Sequence, residues 1–332
     1  VEHTLKNTDW NIVAMVRLTH AGDLNRLADV EAFKESGDRV KIIYHDLKGT
    51  ISKELAKQIG HLDYIVHLAA NSHVERSISE PKVFFEDNVI GTVNLLEFAR
   101  EYHPKVPFLN FGTDEVFGAA PDGYNYKEDD RHRPSNPYSA SKSGQIMAGH
   151  SYFVTYGMPI ISTYTMNVFG ERQHPEKLIP MAIQNILDGT PQLIHAKVRK
   201  GSTVSKNTQG KWVTTDPHDI EEVGQRHWLH ARNAADAILF LLQNGVAGEH
   251  YNVVGDTELQ NDELVLKIAE MMAMPIKFEY EDFHSARAGH DRRYALDGTK
   301  LKEMGWIPPC KFDDSLLKMI NWELERQGYF DK

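Results

Sequence analysis

The sequence predicts an α/β protein built on a doubly wound parallel sheet, with a smaller α/β lobe towards the C-terminus. Three observations predict it. Short apolar runs alternate with amphipathic stretches through the first half of the chain, the pattern of a parallel sheet covered on both faces. Asp46, Ala69 to Asn71, Thr113 to Glu115 and Tyr164 to Asn167 fall at or just beyond the ends of those runs, where such sheets hold their ligands. Beyond Asn167 the regular alternation stops.

The elements follow in order. Residues 1–6 read as the last turns of a helix, and the run Asn-Ile-Val-Ala-Met-Val over 11–16 as the first strand. A turn around Ala21, Gly22 and Asp23 leads to a helix over 24–34, a strand over 40–44 and a helix over 51–59. Strands over 64–68, 106–111 and 159–163 come next, separated by helices over 81–102 and 138–156. The run from His174 to Pro180 opens a helix ending near 187, and 192–195 reads as a strand. The polar stretch 196–224, around Trp212, reads as an excursion or surface hairpin. An apolar pattern returns over 226–230, and a helix over 234–242, a strand over 251–254 and helices over 262–272, 299–303 and 315–326 complete the chain.

Composition excludes more than it identifies. The 332 residues are 41% hydrophobic and 25% charged, which gives a globular chain ample core. A formal net charge of -10 argues against a nucleic-acid partner. Cys310 is the only cysteine, so no disulfide can form within the chain, and a reducing cytoplasm is the natural compartment. No run of about 18 apolar residues suggests a membrane span, and the 17 histidines show no metal-ligand spacing, so no metal is expected.

Chemistry concentrates between Gly112 and Lys142. Tyr138 and Lys142 lie one helical turn apart on the same face, a candidate base with its tuning charge. A phenol that ordinarily ionises near pH 10 needs roughly 3 units, about 4 kcal/mol, of preferential phenolate stabilisation to act near neutrality. A lysine ammonium and a cationic nicotinamide ring in a site that excludes water would supply it. Such a pair on a solvated helix face is common by chance. The acidic pair Asp114-Glu115, on a strand end one loop earlier, turns the balance towards a site.

Several stretches together carry a resemblance. They are Leu18-Thr19-His20-Ala21-Gly22, the run from His67 to Ile78, Thr113-Asp114-Glu115, Tyr138 to Lys142, Asn167, the run from Pro175 to Pro180, and Gly289-His290-Asp291-Arg292-Arg293-Tyr294. Spread in order over nearly the whole chain, they resemble the dTDP-glucose 4,6-dehydratases, nucleotide-sugar enzymes of the extended short-chain dehydrogenase/reductase family. The resemblance implies a Rossmann-type cofactor domain over 1–166 with 225–256, and a substrate domain over 167–224 with 257–332. It also implies NAD as cofactor, a nucleotide-sugar substrate and a homodimer paired through the helices over 81–102 and 138–156. In that family the tyrosine takes the C4 hydroxyl proton while C4 yields hydride to NAD, water leaves across C5 and C6, and the hydride returns to C6. Carried over, Tyr138 and Lys142 drive the oxidation, Thr113 polarises the C4 hydroxyl, Asp114 protonates the departing C6 hydroxyl, and Glu115 takes the C5 proton. The cofactor is expected on Arg17, Asp46, Leu47, Leu68, Ala69, Ala70, Tyr138 and Lys142. The substrate is expected on Ser72, His73, Asn88, Asn167, Glu176, Lys177, Arg226, Asn261, Arg293 and Tyr294, with the arginines suited to a diphosphate by their fork geometry. His67, and on its residue type alone His73, read as structural.

Three departures qualify the resemblance. The glycine-rich loop and strand expected ahead of 11–16 are absent, so the chain reads as a fragment of a longer protein rather than as a glycine-free enzyme. Val16-Arg17 stand where an acid would grip the cofactor ribose, and an arginine there leaves NADP open. The excursion over 196–224 is longer than the family's usual link. Alternatives are a nucleotide-sugar epimerase, a UDP-glucuronate decarboxylase-like enzyme, or an inactive sugar-nucleotide-binding homologue.

Overall fold

A computed structural model describes residues 1–19, 22–23, 25–283 and 292–326. The expected turn at Ala21, the helix start at Leu24, and His20, Gly289, His290 and Asp291 of the quoted motifs lie outside the described residues.

The first half alternates as expected. A short helix, α1 (Glu2–Asn7), precedes β1 (Ile12–Val16). Next come α2 (Asn25–Ala28), α3 (Glu31–Lys34), β2 (Val40–Tyr44), α4 (Lys53–Ile59), β3 (Ile65–His67) and α5 (Val74–Ser79). A longer helix follows in three parts: α6 (Pro81–Phe85), a π-helical turn over Glu86–Ile90, and α7 (Gly91–Tyr102). Then come β4 (Phe108–Phe111), a 3-10 turn over Asp114–Phe117, α8 (Pro137–Tyr156) and β5 (Ile160–Thr165). Every residue of β5 is buried, the mark of a strand covered on both faces.

All pairings in this half are parallel, but the expected single sheet is divided into two hydrogen-bonded groups. β1 pairs with β2, Ile12 opposite Val40 through Val16 opposite Tyr44. β3, β4 and β5 form the second group, closed by β12 (defined below) on the far side of β5. One apolar core joins the groups: Ile43 of β2, Ile65 of β3, Phe108 of β4 and Ile160 of β5 share a cluster against which Val13 and Met15 of β1 pack. Trp10 and Tyr64, just ahead of β1 and β3, stack with ring centroids 4.8 Å apart.

The second half supplies β6 (Asn167–Phe169), α9 (Leu178–Asp188), β7 (Gln192–Val198), β8 (Ser205–Lys206), β9 (Trp212–Thr214), β10 (Ile220–Val223) and β11 (Gln225–His230). After these come α10 (Ala231–Asn244), β12 (His250–Val253), β13 (Thr257–Gln260), α11 (Asn261–Met272), β14 (Phe278–Asp282), α12 (Thr299–Glu303) and α13 (Phe312–Glu325). The polar excursion is thus part of a sheet ordered β10-β7-β14-β9-β8. β13, β11 and β6 form a separate three-stranded sheet that draws on both predicted domains. β13 and β14 carry no apolar run, and the sequence pattern had not placed strands there.

Candidate active site

The site is built where β4 ends against the head of α8. Gly112 follows β4 because nothing larger fits: a Cβ there would lie 2.3 Å from the Thr163 carbonyl oxygen of β5. Thr113 then caps the 3-10 turn, its Oγ1 accepting from the Glu115 amide at 3.4 Å and donating to Asp114 Oδ1 at 3.0 Å. α8 starts sharply because Asn136 and Ser139 form a reciprocal capping box with Pro137 in the first turn. That start fixes the Tyr138 ring, buried edge-on to Phe84.

Burial sets the protonation states. Asp114 is only 2% exposed and its Oδ2 finds no hydrogen-bond partner among the described residues. Burial and the Glu115 charge push its carboxyl up to about 7, against the pull of Thr113 and Arg226. Tyr138 is pushed above the ordinary phenol range by burial and by the charges of Glu115 and Asp114, with a hydrogen bond to Thr113 opposing. Tyr294 Oη donates to Glu115 Oε2 at 3.3 Å, and the Arg226 guanidinium lies 4.3 Å over the Tyr294 ring. Thr113, Asp114, Glu115, Tyr138, Arg226 and Tyr294 therefore meet in one place.

Lys142 and Tyr138 share α8 one turn apart, and the Lys142 ammonium is hydrogen-bonded elsewhere than to the phenol. Its Nζ donates to the Phe111 carbonyl at 2.7 Å and to Gln145 Oε1 at 2.6 Å, and burial lowers its pKa to about 7. Those two acceptors, at the end of β4 and one turn along α8, outcompete a phenol that keeps its own proton.

The expected cofactor residues line the ends of β1 to β3. Leu68, Ala69 and Ala70 are exposed just past β3. Leu47 packs against Gly91, and its carbonyl accepts from Asn94 Nδ2 at 2.7 Å. Arg17 is committed elsewhere than to a ribose phosphate: it makes two 2.8 Å bonds to Asp87 and two 3.1 Å bonds to Asp46. Asp87 was missed from sequence, although it immediately precedes the expected Asn88. It also accepts from Asn71 Nδ2. Asn88, wholly buried in the π turn, grips both the amide and the carbonyl of Asn71 and donates to Ser141 Oγ of α8 at 2.8 Å. It braces the site from within, and irregular π turns of this kind recur at functional sites.

The remaining expected substrate residues divide. Ser72 is exposed, and His73 caps α5 while facing Glu176 at 3.7 Å; Lys177 lies 3.6 Å from the same carboxylate. Asn167 opens β6, and Asn261 opens α11 with its amide on the Gly224 carbonyl. Arg293 departs from its expected role. All five of its donors are engaged within the protein, on the Glu258 carboxylate, the Pro121 and Tyr124 carbonyls and Asn125 Oδ1. It is an internal clamp on the loop after the acidic triplet, not an open fork for a diphosphate. His67 is structural as expected, bonded to Thr92 Oγ1 at 2.8 Å, its pKa lowered to about 3 by burial.

Comparison with known proteins identifies the family. The family model described as "NAD dependent epimerase/dehydratase family" matches residues 1–254. A dTDP-glucose 4,6-dehydratase of Shigella flexneri is 32% identical, over 100% of this chain and 90% of its own. The low-salt glycan biosynthesis protein Agl12 of Haloferax volcanii is 35% identical over 98% and 94%. Among solved structures, DesIV, the dTDP-glucose 4,6-dehydratase of Streptomyces venezuelae with NAD bound, superposes with a TM-score of 0.80 at 31% identity, covering 96% of this chain and 89% of DesIV. By the extent of the family match and the full-length identity, this chain belongs to the NAD-dependent epimerase/dehydratase family.

Proposed function

We propose that this protein is an NAD-dependent nucleotide-sugar 4,6-dehydratase, converting dTDP-glucose to its 4-keto-6-deoxy product. The observation that carries the reading is the buried Asp114 carboxyl, held up near pH 7 beside Glu115 and Tyr138. Epimerisation at C4 needs only oxidation and reduction. Expelling the C6 hydroxyl also needs an acid and a base together, and Asp114-Glu115 are that pair.

The residues present fit a dinucleotide. Leu68, Ala69 and Ala70 are exposed just past β3, and Asp46 and Leu47 lie just past β2, the strand ends over which such a sheet holds a dinucleotide. When bound, NAD supplies the hydride acceptor for C4 and the hydride donor for C6. The protein's residues do the rest. Tyr138 takes the C4 hydroxyl proton with Thr113 as its hydrogen-bond partner, Glu115 takes the C5 proton, and Asp114 delivers a proton to the leaving C6 oxygen. Proton loss from Tyr138 is easier while Asp114 is neutral, since each carboxylate charge nearby opposes the phenolate. Arg226, and the Glu176-Lys177 pair with Asn167 and Asn261, are assigned to the nucleotide-sugar.

The same reading takes 1–166 with 225–256 as the cofactor domain, a cytoplasmic setting and a homodimer. Among the described residues no helix is long and apolar enough to cross a membrane.

The test is the double variant Asp114→Asn with Glu115→Gln, given NAD and dTDP-glucose. It should still oxidise C4, accumulate reduced cofactor and retain the C6 oxygen, because neither amide can exchange the needed protons. A 4-keto-6-deoxy product at near the parent rate would overturn the assignment. A parent that instead interconverts C4 epimers and keeps the C6 hydroxyl is an epimerase.

A further inference from the structure

The amide of Gln145 is buried completely, yet it lies at the centre of a closed set of polar contacts. Its Oε1 receives the Lys142 ammonium at 2.6 Å, and its Nε2 donates to Asn110 Oδ1 at 2.8 Å and to the Phe111 carbonyl at 3.3 Å. Asn110 in turn donates from Nδ2 to the Gln145 backbone carbonyl at 3.1 Å. This fixes which way the Gln145 amide points, because turning it over would set its NH2 against the lysine NH3+ and its oxygen against two acceptors. There is little room to rearrange. A Cβ on Gly149, one turn further along α8, would lie 2.7 Å from Asn110 Nδ2.

We propose that Gln145 is a positioning residue for Lys142, and that with the Phe111 carbonyl it sets where the ammonium rests and at what pH it exists. The inference rests on the proposed dehydratase reading, with Lys142 as the charge that assists Tyr138 in the C4 oxidation. Lys142 is desolvated, and burial lowers its pKa; the two acceptors replace hydration that its charged form has lost. The titratable groups on the elements packed around it include His67 at the end of β3, His73, Glu75 and Arg76 at the head of α5, Glu86 and Asp87 in the π turn, Glu97 on α7, Asp114 and Glu115 after β4, Tyr164 on β5 and Tyr138 on α8 itself. The Lys142 charge opposes protonation of His67, which stays neutral and leaves Gln145 as the tunable neighbour. The i, i+3 spacing of Lys142 and Gln145 places the two on one helix face.

Two variants test this. Gln145→Met keeps the side-chain volume and removes the acceptor, while Gln145→Glu keeps an acceptor and adds charge. Lysine side-chain nitrogen NMR follows the ionisation of Lys142 itself, the signal being assigned by its loss in Lys142→Met. Methionine should lower the Lys142 midpoint and glutamate should raise it, each by about one unit, a tenfold change in the protonated fraction. The alkaline limb of the single-turnover oxidation of dTDP-glucose should move in the same two directions, with KM unchanged within about twofold. A general loss of packing would lower activity in both variants without opposite pH shifts, and that result overturns the proposal, as does an unmoved Lys142 midpoint. Should Gln145→Met fail to fold, the upward shift in Gln145→Glu decides. If the midpoints move as stated but the parent makes no 4-keto sugar, the positioning role stands and the dehydratase reading falls.

Discussion

At the scale of single residues, Asp114 and Arg293 show how burial turns side-chain chemistry into constraint. Asp114 ionises near pH 7 in the folded protein against 3.8 for an ordinary aspartate, so the native state keeps a proton that the unfolded chain has released. That contribution to stability is complete below about pH 4 and is lost as the pH rises through about 7. Asp114→Asn should therefore gain stability over the parent at pH 8.5 relative to pH 4, on the order of 2–4 kcal/mol, measured by urea unfolding at both values. The carboxyl that the elimination requires is thus held at a cost to the fold. Arg293 makes the opposite contribution. It is 7% exposed, and its bonds to Glu258, Pro121, Tyr124 and Asn125 bind the loop after the acidic triplet to β13. Arg293→Ala should cost on the order of 3–5 kcal/mol of unfolding free energy, because it leaves a carboxylate and two carbonyls without their donor. Lysine should recover only a part, since one ammonium cannot reproduce the fork.

At the scale of elements, the site depends on two sharp starts and one close approach. Asn136→Ala removes the side-chain cap of α8 and should cost about 1 kcal/mol, read from the shift in the urea midpoint. Gly112→Ala should cost more and slow catalysis as well, because its Cβ cannot share space with the Thr163 carbonyl unless β4 and β5 part. The bounds of α8 and β5 were legible within a residue or two, since each has a strong periodic pattern and a marked start. The same patterning hid β13 and β14. Thr-Glu-Leu-Gln and Phe-Glu-Tyr-Glu-Asp are strands because β11, β7 and β9 supply partners distant in sequence. Residue types and spacing singled out Asp114, Glu115 and Tyr138 as one candidate site, and the resemblance added Thr113 and Tyr294, which lie with them in the structure. Neither foretold that Arg17 would turn to Asp87, Arg293 to Glu258 or Lys142 to Gln145. Each of those outcomes is a competition between acceptors brought together only by tertiary packing.

At the scale of the whole molecule, the helices that brace the site from within also present an unusual outer face. Ile90 is 50% exposed and Val154 is 65% exposed, with Phe85 and Met147 also exposed on the same helical elements. Met147 and Val154 are seven residues apart on α8 and so share one face. The π turn carrying Ile90 packs directly against α8, with Val89 Cγ2 only 2.9 Å from where a Gly144 Cβ would stand. Apolar groups set side by side on paired helices are the usual core of a subunit interface, and a stable one covers about 800 Å² per partner. If the homodimer forms through this face, a two-fold axis sets each copy of the pair against the other, and one charge introduced on the chain enters the interface twice. Sedimentation equilibrium on the parent should then give twice the chain mass, and Val154→Glu with Ile90→Glu should give the chain mass. The double variant should keep its fold by circular dichroism, since both side chains already face outwards. A parent that sediments as a monomer, or a double variant that still dimerises, would remove this face from the assembly. The mechanical consequence can be read from Asn88, two residues before Ile90, which holds Ser141 between Tyr138 and Lys142. Monomerisation should therefore loosen the head of α8 and lower kcat more than it raises KM, a split that loss of an unconnected surface would not produce.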